Sequence, residues 1–352
     1  MAQAPQRALD PDASVAWLAA ALGRGRWRRV LAGVADDDCA VVRLGREIAV
    51  ISVDFLNATP IAEQLSIGGE RVLGRLAVAA TLADLYGSGA RPVAMLVAVT
   101  APHGYPERLF KEIMRGAHKE SKRWNVPIVG GDTKLGRARA ILTCGLGVAR
   151  STKNLFLGNR AKPGDAILAS GCLGTCAAAA YFASRRGVGR ALPQWVRDAI
   201  TKPSLPARRS RALASLGIAN GGTDISDGLA ADLRALCSAS AVGAVLDAEA
   251  IPVHPRVLSV ARSAGVPAWA FSLASGGDFQ FIVTVPERLC RRAERLGFVR
   301  IGMIIKQRAL FMKHSATGPR RRLPRVGHRD RRGQRFAAEI RRIVSEVTRE
   351  QR

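Results

Sequence analysis

The sequence predicts a two-domain α/β fold. Its 352 residues are enough for two cores of ordinary size. Strand-like and helix-like hydrophobic patterns alternate along the chain, and they do so twice, on either side of a polar, irregular stretch at 151–162. A hydrophobic fraction of 48% beside 23% charged residues is globular, which excludes a fibrous or disordered chain. The expected division is 1–155, 156–318 and an Arg-rich tail at 319–352.

The elements follow in order. Residues 47–53 are an apolar, β-branched run closed by Asp54, which reads as a strand. Residues 72–86 carry Ala and Leu at helical spacing and stop at Gly87. A second strand spans 93–100 and ends at Ala101-Pro102; 107–124 is a long amphipathic helix; 127–130 and 138–148 read as two further strands. Beyond the break, 165–170 is a strand that turns through 171–174 into a helix at 175–184. Helices are expected at 208–216 and 229–240, and strands at 244–246, 279–285 and 299–305. Residues 319–352 are dominated by Arg, and only 336–347 has helical periodicity, so this tail is expected to be an appendage outside the core.

Fifty-four Lys and Arg against 28 Asp and Glu give a formal charge of +26. The bases are scattered, with one dense stretch from Arg320 to Arg335, and aromatics are only 5%. Scatter without stacking aromatics reads as a solvated surface, so nucleic-acid binding is expected only as an incidental property of the tail. No apolar run approaches the ~18 residues of a membrane span, and no secretory leader is recognisable. Six cysteines without a CxxC pair and five scattered histidines point to a reduced, cytoplasmic protein without a zinc cage.

In a chain this basic, the position of the carboxylates is the informative quantity. They fall at strand ends and in Gly-rich turns: Asp36-Asp37-Asp38, Asp54, Asp84 in an otherwise apolar helix, Gly130-Gly131-Asp132-Thr133, Asp224-Ile225-Ser226-Asp227-Gly228 and Gly277-Asp278. Each has an ordinary reading of its own. Asp37-Asp38 suits a turn or cap, Asp54 a strand end, Gly130-Gly131-Asp132 a hairpin, and Ser226 or Asp227 a helix N-cap. Asp84 is harder to dismiss, because a carboxylate among Ala and Leu is costly unless it is paired. Together they read as hard oxygen ligands for Mg²⁺ beside glycines that let a polyphosphate approach the backbone.

The order of these motifs resembles the aminoimidazole-ribonucleotide synthetase (PurM-like) superfamily. The likeness is carried by Asp37-Asp38-Cys39-Ala40-Val41-Val42, Ser52-Val53-Asp54, Leu82-Ala83-Asp84-Leu85-Tyr86-Gly87, Val129-Gly130-Gly131-Asp132-Thr133, Ala161-Lys162-Pro163-Gly164-Asp165 and Asp224-Ile225-Ser226-Asp227-Gly228-Leu229. It runs from about residue 17 to residue 312, and within the superfamily it points to the thiamine-monophosphate kinase branch. The resemblance implies a homodimer in which the four-stranded N-terminal sheets of two subunits close into a barrel. It also implies a mixed α/β C-terminal domain, and ATP with several Mg²⁺ in the cleft between the domains. Carried over by position, Asp37, Asp54, Asp84, Asp132, Asp224 and Asp227 are the implied metal ligands. Asp37, Asp38, Gly130, Gly131, Asp132, Ser226 and Gly228 are the implied nucleotide contacts. Asp84, Asp132 and Asp227 are the implied catalytic residues, with Asp278 on the side of the acceptor. The implied reaction is phosphotransfer from ATP to a small phosphorylated metabolite, thiamine monophosphate first. The alternative is another ATP-dependent reaction of the superfamily, such as amide or carboxylate activation or selenophosphate formation. It is motivated by the acid-poor stretch Gly276-Gly277-Asp278-Phe279-Gln280.

Overall fold

The computed structural model describes residues 11–22, 27–56, 60–186, 191–274, 277–314 and 318–323, together with 340, 342, 343 and 345. In chain order the first half forms α1 (Pro11–Leu22), β1 (Val30–Ala32), β2 (Ala40–Leu44), β3 (Glu47–Leu56), α2 (Ile61–Gln64), α3 (Gly69–Gly87), β4 (Arg91–Pro102), α4 (Glu107–Trp124), β5 (Ile128–Gly136) and β6 (Ala140–Ala149). The strands make one sheet of order β1-β2-β3-β6-β4-β5, in which only the β4–β5 pair is parallel. The four long strands β3, β6, β4 and β5 match the expected sheet; β1 and β2 extend it to six.

Period-two alternation sorts this sheet into two faces. In one register row stand Asp54, Thr143, Val97 and Gly131; Val97 and Thr143 are buried beneath α3 and α4. The next row, Phe55, Leu142, Ala98 and Asp132, belongs to the uncovered face. There Val53, Phe55 and Leu96 are 59%, 57% and 45% exposed.

The second half forms β7 (Asp165–Ala169), α5 (Thr175–Arg186), α6 (Gln194–Thr201), α7 (Ala207–Leu216), β8 (Gly222–Ile225), α8 (Leu229–Ala239), β9 (Gly243–Asp247), α9 (Pro255–Ala264), α10 (Trp269–Ala274), β10 (Gln280–Pro286), α11 (Cys290–Glu294), β11 (Val299–Ile305), β12 (Leu310–Lys313) and β13 (Arg321–Arg322). Its sheet has the order β13-β12-β9-β11-β7-β10-β8, antiparallel apart from β9–β12. Helices α5, α8, α9 and α10 bury one face; α7 and α11 bury the other.

A third apolar cluster joins the two halves. Val78, Leu82 and Tyr86 of α3 pack with Ala179 of α5, Val196 of α6 and Phe281 of β10. Helix α3 therefore belongs to both halves, and that places its C-terminal turn at the seam.

The tail departs from expectation. Arg321 and Arg322 add strand β13 against β12, and Leu323, Ile340 and Ile343 are buried in the C-terminal core. These apolar residues, spaced among the arginines, make 321–323, Ile340 and Ile343 part of the fold. Most of the helical pattern at 336–347, and the arginines beyond Arg322 apart from Arg342, lie outside the described residues.

Candidate active site

The carboxylates converge where α3 meets β8. Gly87, in the last turn of α3, has no room for a side chain, since a Cβ there would come within 2.8 Å of the Asp224 nitrogen. That close approach carries Asp84, one turn earlier on α3, toward Asp224 on β8. From the other side β3 delivers two inward positions. Ser52 is buried, and its hydroxyl donates to Asp84 Oδ2 at 2.5 Å. Asp54 follows two residues later on the same face of the strand. Asp38, after β1, accepts from the Thr223 hydroxyl at 2.8 Å, a bond that crosses from one half of the chain to the other.

Asp38, Asp54, Asp84, Asp224 and Asp227 lie near enough to repel one another. Burial, then the neighbouring Asp38 and Asp227, pushes Asp54 up to about 6. Asp84 is raised well above the usual carboxylate range by burial and then by Asp224, Asp54 and Asp38. Asp224 is raised in the same way by burial, then Asp38, Asp232, Asp54 and Asp227. It is 3% exposed, and its Oδ2 is buried with no hydrogen-bond partner. An orphaned, buried carboxylate oxygen among repelling carboxylates fits a cation.

The donor set suits Mg²⁺. It is all hard oxygen, of the class that Mg²⁺ shares with other hard cations, although among the described residues no three His, Cys, Asp or Glu side chains stand close enough to hold one ion by themselves. A site of this kind is completed by water and phosphate oxygens, as Mg²⁺ prefers.

Three expected site residues stand elsewhere. Asp37 is turned away from the groove. Its carboxylate accepts from the Gly158 N–H at 2.6 Å and the Cys39 N–H at 2.9 Å, pinning the linker after β6 to the first half. Burial and then Asp38 push it up to about 7, against the pull of those bonds and of Arg160. The groove-facing member of the pair is Asp38.

Asp132 does not join the cluster either. It lies within β5, not at a strand end, and strand alternation puts it on the opposite face from Asp54. Its carboxylate is exposed, accepts from the Thr133 N–H at 2.8 Å and lies 3.7 Å from Lys134 Nζ. Gly131 beside it is required by packing, because a Cβ there would overlap the Val97 carbonyl of β4, and Gly130 is exposed on the same strand.

Asp278 is committed to a helix end. Its buried carboxylate accepts from the N–H groups of Gly174 at 2.5 Å and Cys176 at 2.9 Å, which begin α5. Burial pushes it up to about 6 in spite of those donors. The hydrogen bonds that it makes here are those of a cap at the start of α5.

Ser226 and Gly228 are where the sequence places them, in the loop between β8 and α8. Ser226 is exposed, and Gly228 turns the chain into α8 at φ 108°. Reading the sequence missed three supporting residues: Ser52, Thr223 and Asp232. Asp232, in the first turn of α8, is 8% exposed and accepts from the Asp227 N–H at 3.0 Å. The signal for Ser52 was available in its i, i+2 relation to Asp54. That for Asp232 was its place one turn into the helix opened by Gly228.

Comparison with known proteins places the chain in a family. Residues 36–149 match the N-terminal domain of AIR synthase related protein, and 162–313 its C-terminal domain. Thiamine-monophosphate kinase of Corynebacterium glutamicum is 31% identical over 254 residues, 70% of this chain and 76% of that protein. The Pyrococcus horikoshii thiamine-monophosphate kinase is 27% identical over 297 residues, 83% and 89% of the two chains. Among solved structures, AaThiL complexed with AMPPCP and TMP superposes with a TM-score of 0.76 at 19% identity, covering 90% of this chain and 99% of that one. The fold, the shared groove and these matches together make the chain a member of the AIR synthase related family, in its thiamine-monophosphate kinase branch.

Proposed function

We propose that the protein transfers the γ-phosphoryl group of ATP to the phosphate of thiamine monophosphate, releasing ADP and thiamine diphosphate. The observation that carries this reading is the set of five carboxylates facing one another across the seam, with the Asp224 oxygen left unsatisfied. Asp38, Asp54, Asp84, Asp224 and Asp227 would hold Mg²⁺, which supplies charge neutralisation along the triphosphate. Ser226 and the backbone at Gly228 stand beside that groove as nucleotide contacts. Ser52 orients Asp84, and Asp232 holds the loop that bears Asp227. The acceptor is a phosphate monoester, already anionic near neutral pH. Alignment and charge neutralisation therefore suffice, and no strong general base is demanded.

We further propose that the subunit works as a cytoplasmic homodimer through the uncovered face of its first sheet. Val53, Phe55 and Leu96 stand exposed on that one face, and apolar side chains grouped on a sheet face suit an interface between subunits. Asp132 lies in the row of Phe55, so pairing would enclose it. Among the described residues no helix is long and apolar enough to cross a membrane.

A coupled ADP-release assay with thiamine monophosphate tests the reaction. Wild type should turn over with Mg²⁺, and Asp84→Asn should lose about a hundredfold or more, the scale of removing one electrostatic contact to a transition state. Orthophosphate released with a dehydrated product, in place of thiamine diphosphate, would move the assignment to amide or carboxylate activation.

A further inference from the structure

The kinase reading uses acids and leaves the charge of +26 unexplained. Part of it is gathered on one layer. Helix α7 buries Ala207, Ser210, Leu213 and Ala214 and turns Arg208 and Arg211 outward. Helix α11 buries Cys290 and Ala293, leaving Arg291 and Arg292 exposed, with Arg288 and Arg295 exposed at its ends. Leu213, Ala214, Cys290 and Ala293 share one core cluster beneath these helices. Arg209 of α7 reaches the turn that follows α11, where its guanidinium fills the space a Gly297 side chain would take. Acids on the layer are few. Glu287 is engaged by Arg300 at 2.7 Å, which leaves Glu294 as the other carboxylate of 287–300.

We propose that this α7–α11 layer is a docking surface for the phosphate backbone of double-helical nucleic acid, separate from the nucleotide groove. One-signed charge spread over two adjacent helices matches a repeating row of phosphates better than a single small anion. The layer holds no exposed aromatic side chain to stack on unpaired bases, so it reads backbone and not sequence. Its exposed apolar content is slight, Leu216 and Val299 being 37% and 39% exposed, which disfavours insertion into a lipid surface. The surface is independent of the kinase reading, because none of its arginines belongs to the carboxylate groove.

Fluorescence anisotropy with a labelled 20-base-pair RNA or DNA duplex tests the proposal on the full chain. Binding is expected at 50 mM salt and should weaken about a hundredfold by 200 mM if four phosphates are neutralised, each contributing a slope of about 0.9. The variant R288A/R291A/R292A/R295A should lose at least tenfold in affinity and most of that salt slope, with thiamine-monophosphate turnover unchanged as the readout of folding. A matched variant, R325Q/R329Q/R331Q/R332Q, removes equal charge from the tail and should retain binding. Retained affinity in the helix variant, loss confined to the tail variant, or tighter binding to phosphatidylserine vesicles than to the duplex would each overturn the assignment.

Discussion

Asp54→Asn separates the cost of the groove from its use. In the protein without Mg²⁺, Asp54 titrates near 6, about two units above its ordinary 3.8, because burial and then Asp38 and Asp227 disfavour its charge. A folded-state pKa above the unfolded one means that the native state holds the proton more tightly. Ionisation is therefore paid by the fold: the penalty is small at pH 4, grows through pH 6 and is complete above pH 7. Two units correspond to ~3 kcal/mol. Water at the mouth of the groove reduces this to about 1–2 kcal/mol for a half-buried side chain. Asparagine has no charge to bury. At pH 8, without divalent ions, the variant should melt on the order of 3–5 °C above wild type, and the gain should shrink to a small fraction at pH 4. Saturating MgATP should stabilise wild type, by about 2.7 kcal/mol at a hundred times its dissociation constant, and the variant much less. Differential scanning fluorimetry at pH 4, 6 and 8, with and without MgATP, reads all of these. A variant less stable than wild type at pH 8, or a gain equal at every pH, would refute the reasoning.

Other substitutions test the supports. Asp232→Ala should raise the Mg²⁺ concentration needed for half-maximal turnover by about tenfold, the scale of losing a ligand's hydrogen-bonded support, while Asp232→Asn, whose carbonyl still accepts from Asp227, should recover most of it. Gly116→Ala would drive a methyl into the Arg71 carbonyl where α4 crosses α3, and should cost about 1–3 kcal/mol in urea unfolding. Asp278→Ala removes the cap of α5 and should cost about 1–2 kcal/mol, leaving KM for thiamine monophosphate within twofold of wild type; a large rise in KM at unchanged stability would return Asp278 to the acceptor site.

Where local pattern and tertiary context agreed, the sequence was a good guide. Helix 107–124 is found at the predicted ends, fixed by its strong apolar stripe, its acidic start and the left-handed Asn125 that closes it. Strand 299–305 is likewise found as read. The failures have identifiable causes. Gly130-Gly131 reads as a turn, because glycine pairs punctuate chains. Here the glycines continue a strand for which β4 supplies a parallel partner from Leu96 to Pro102. Asp132 was misplaced with them, since one residue of strand changes the face. Asp37 and Asp38 are adjacent and chemically identical, and only the linker at Gly158 decides which of them turns inward. Asp278 caps a helix that begins about a hundred residues earlier, a pairing with no local signal. Short elements such as β1, α10 and β13 carry too few residues for a period to show.

The placement of the acids has a consequence for how the groove opens. Apolar packing of α3 against α5, α6 and β10 fastens the two halves a short way from the carboxylates. Asp37 on Gly158, Asp38 on Thr223, and the Ser210 hydroxyl on the Tyr86 carbonyl at 2.5 Å add polar ties across the same seam. Carboxylates that repel one another push the halves apart, but they do so inside a clamp that does not yield freely. The repulsion shows as raised proton affinities, and a divalent ion bound there would relieve it. The surrounding charge acts in the complementary sense. A chain at +26 draws polyanions toward itself, while clustered carboxylates in the groove would repel them until a cation binds. On the proposed reaction, that opposition of a basic exterior and an acidic seam would favour a nucleotide that arrives with its metal.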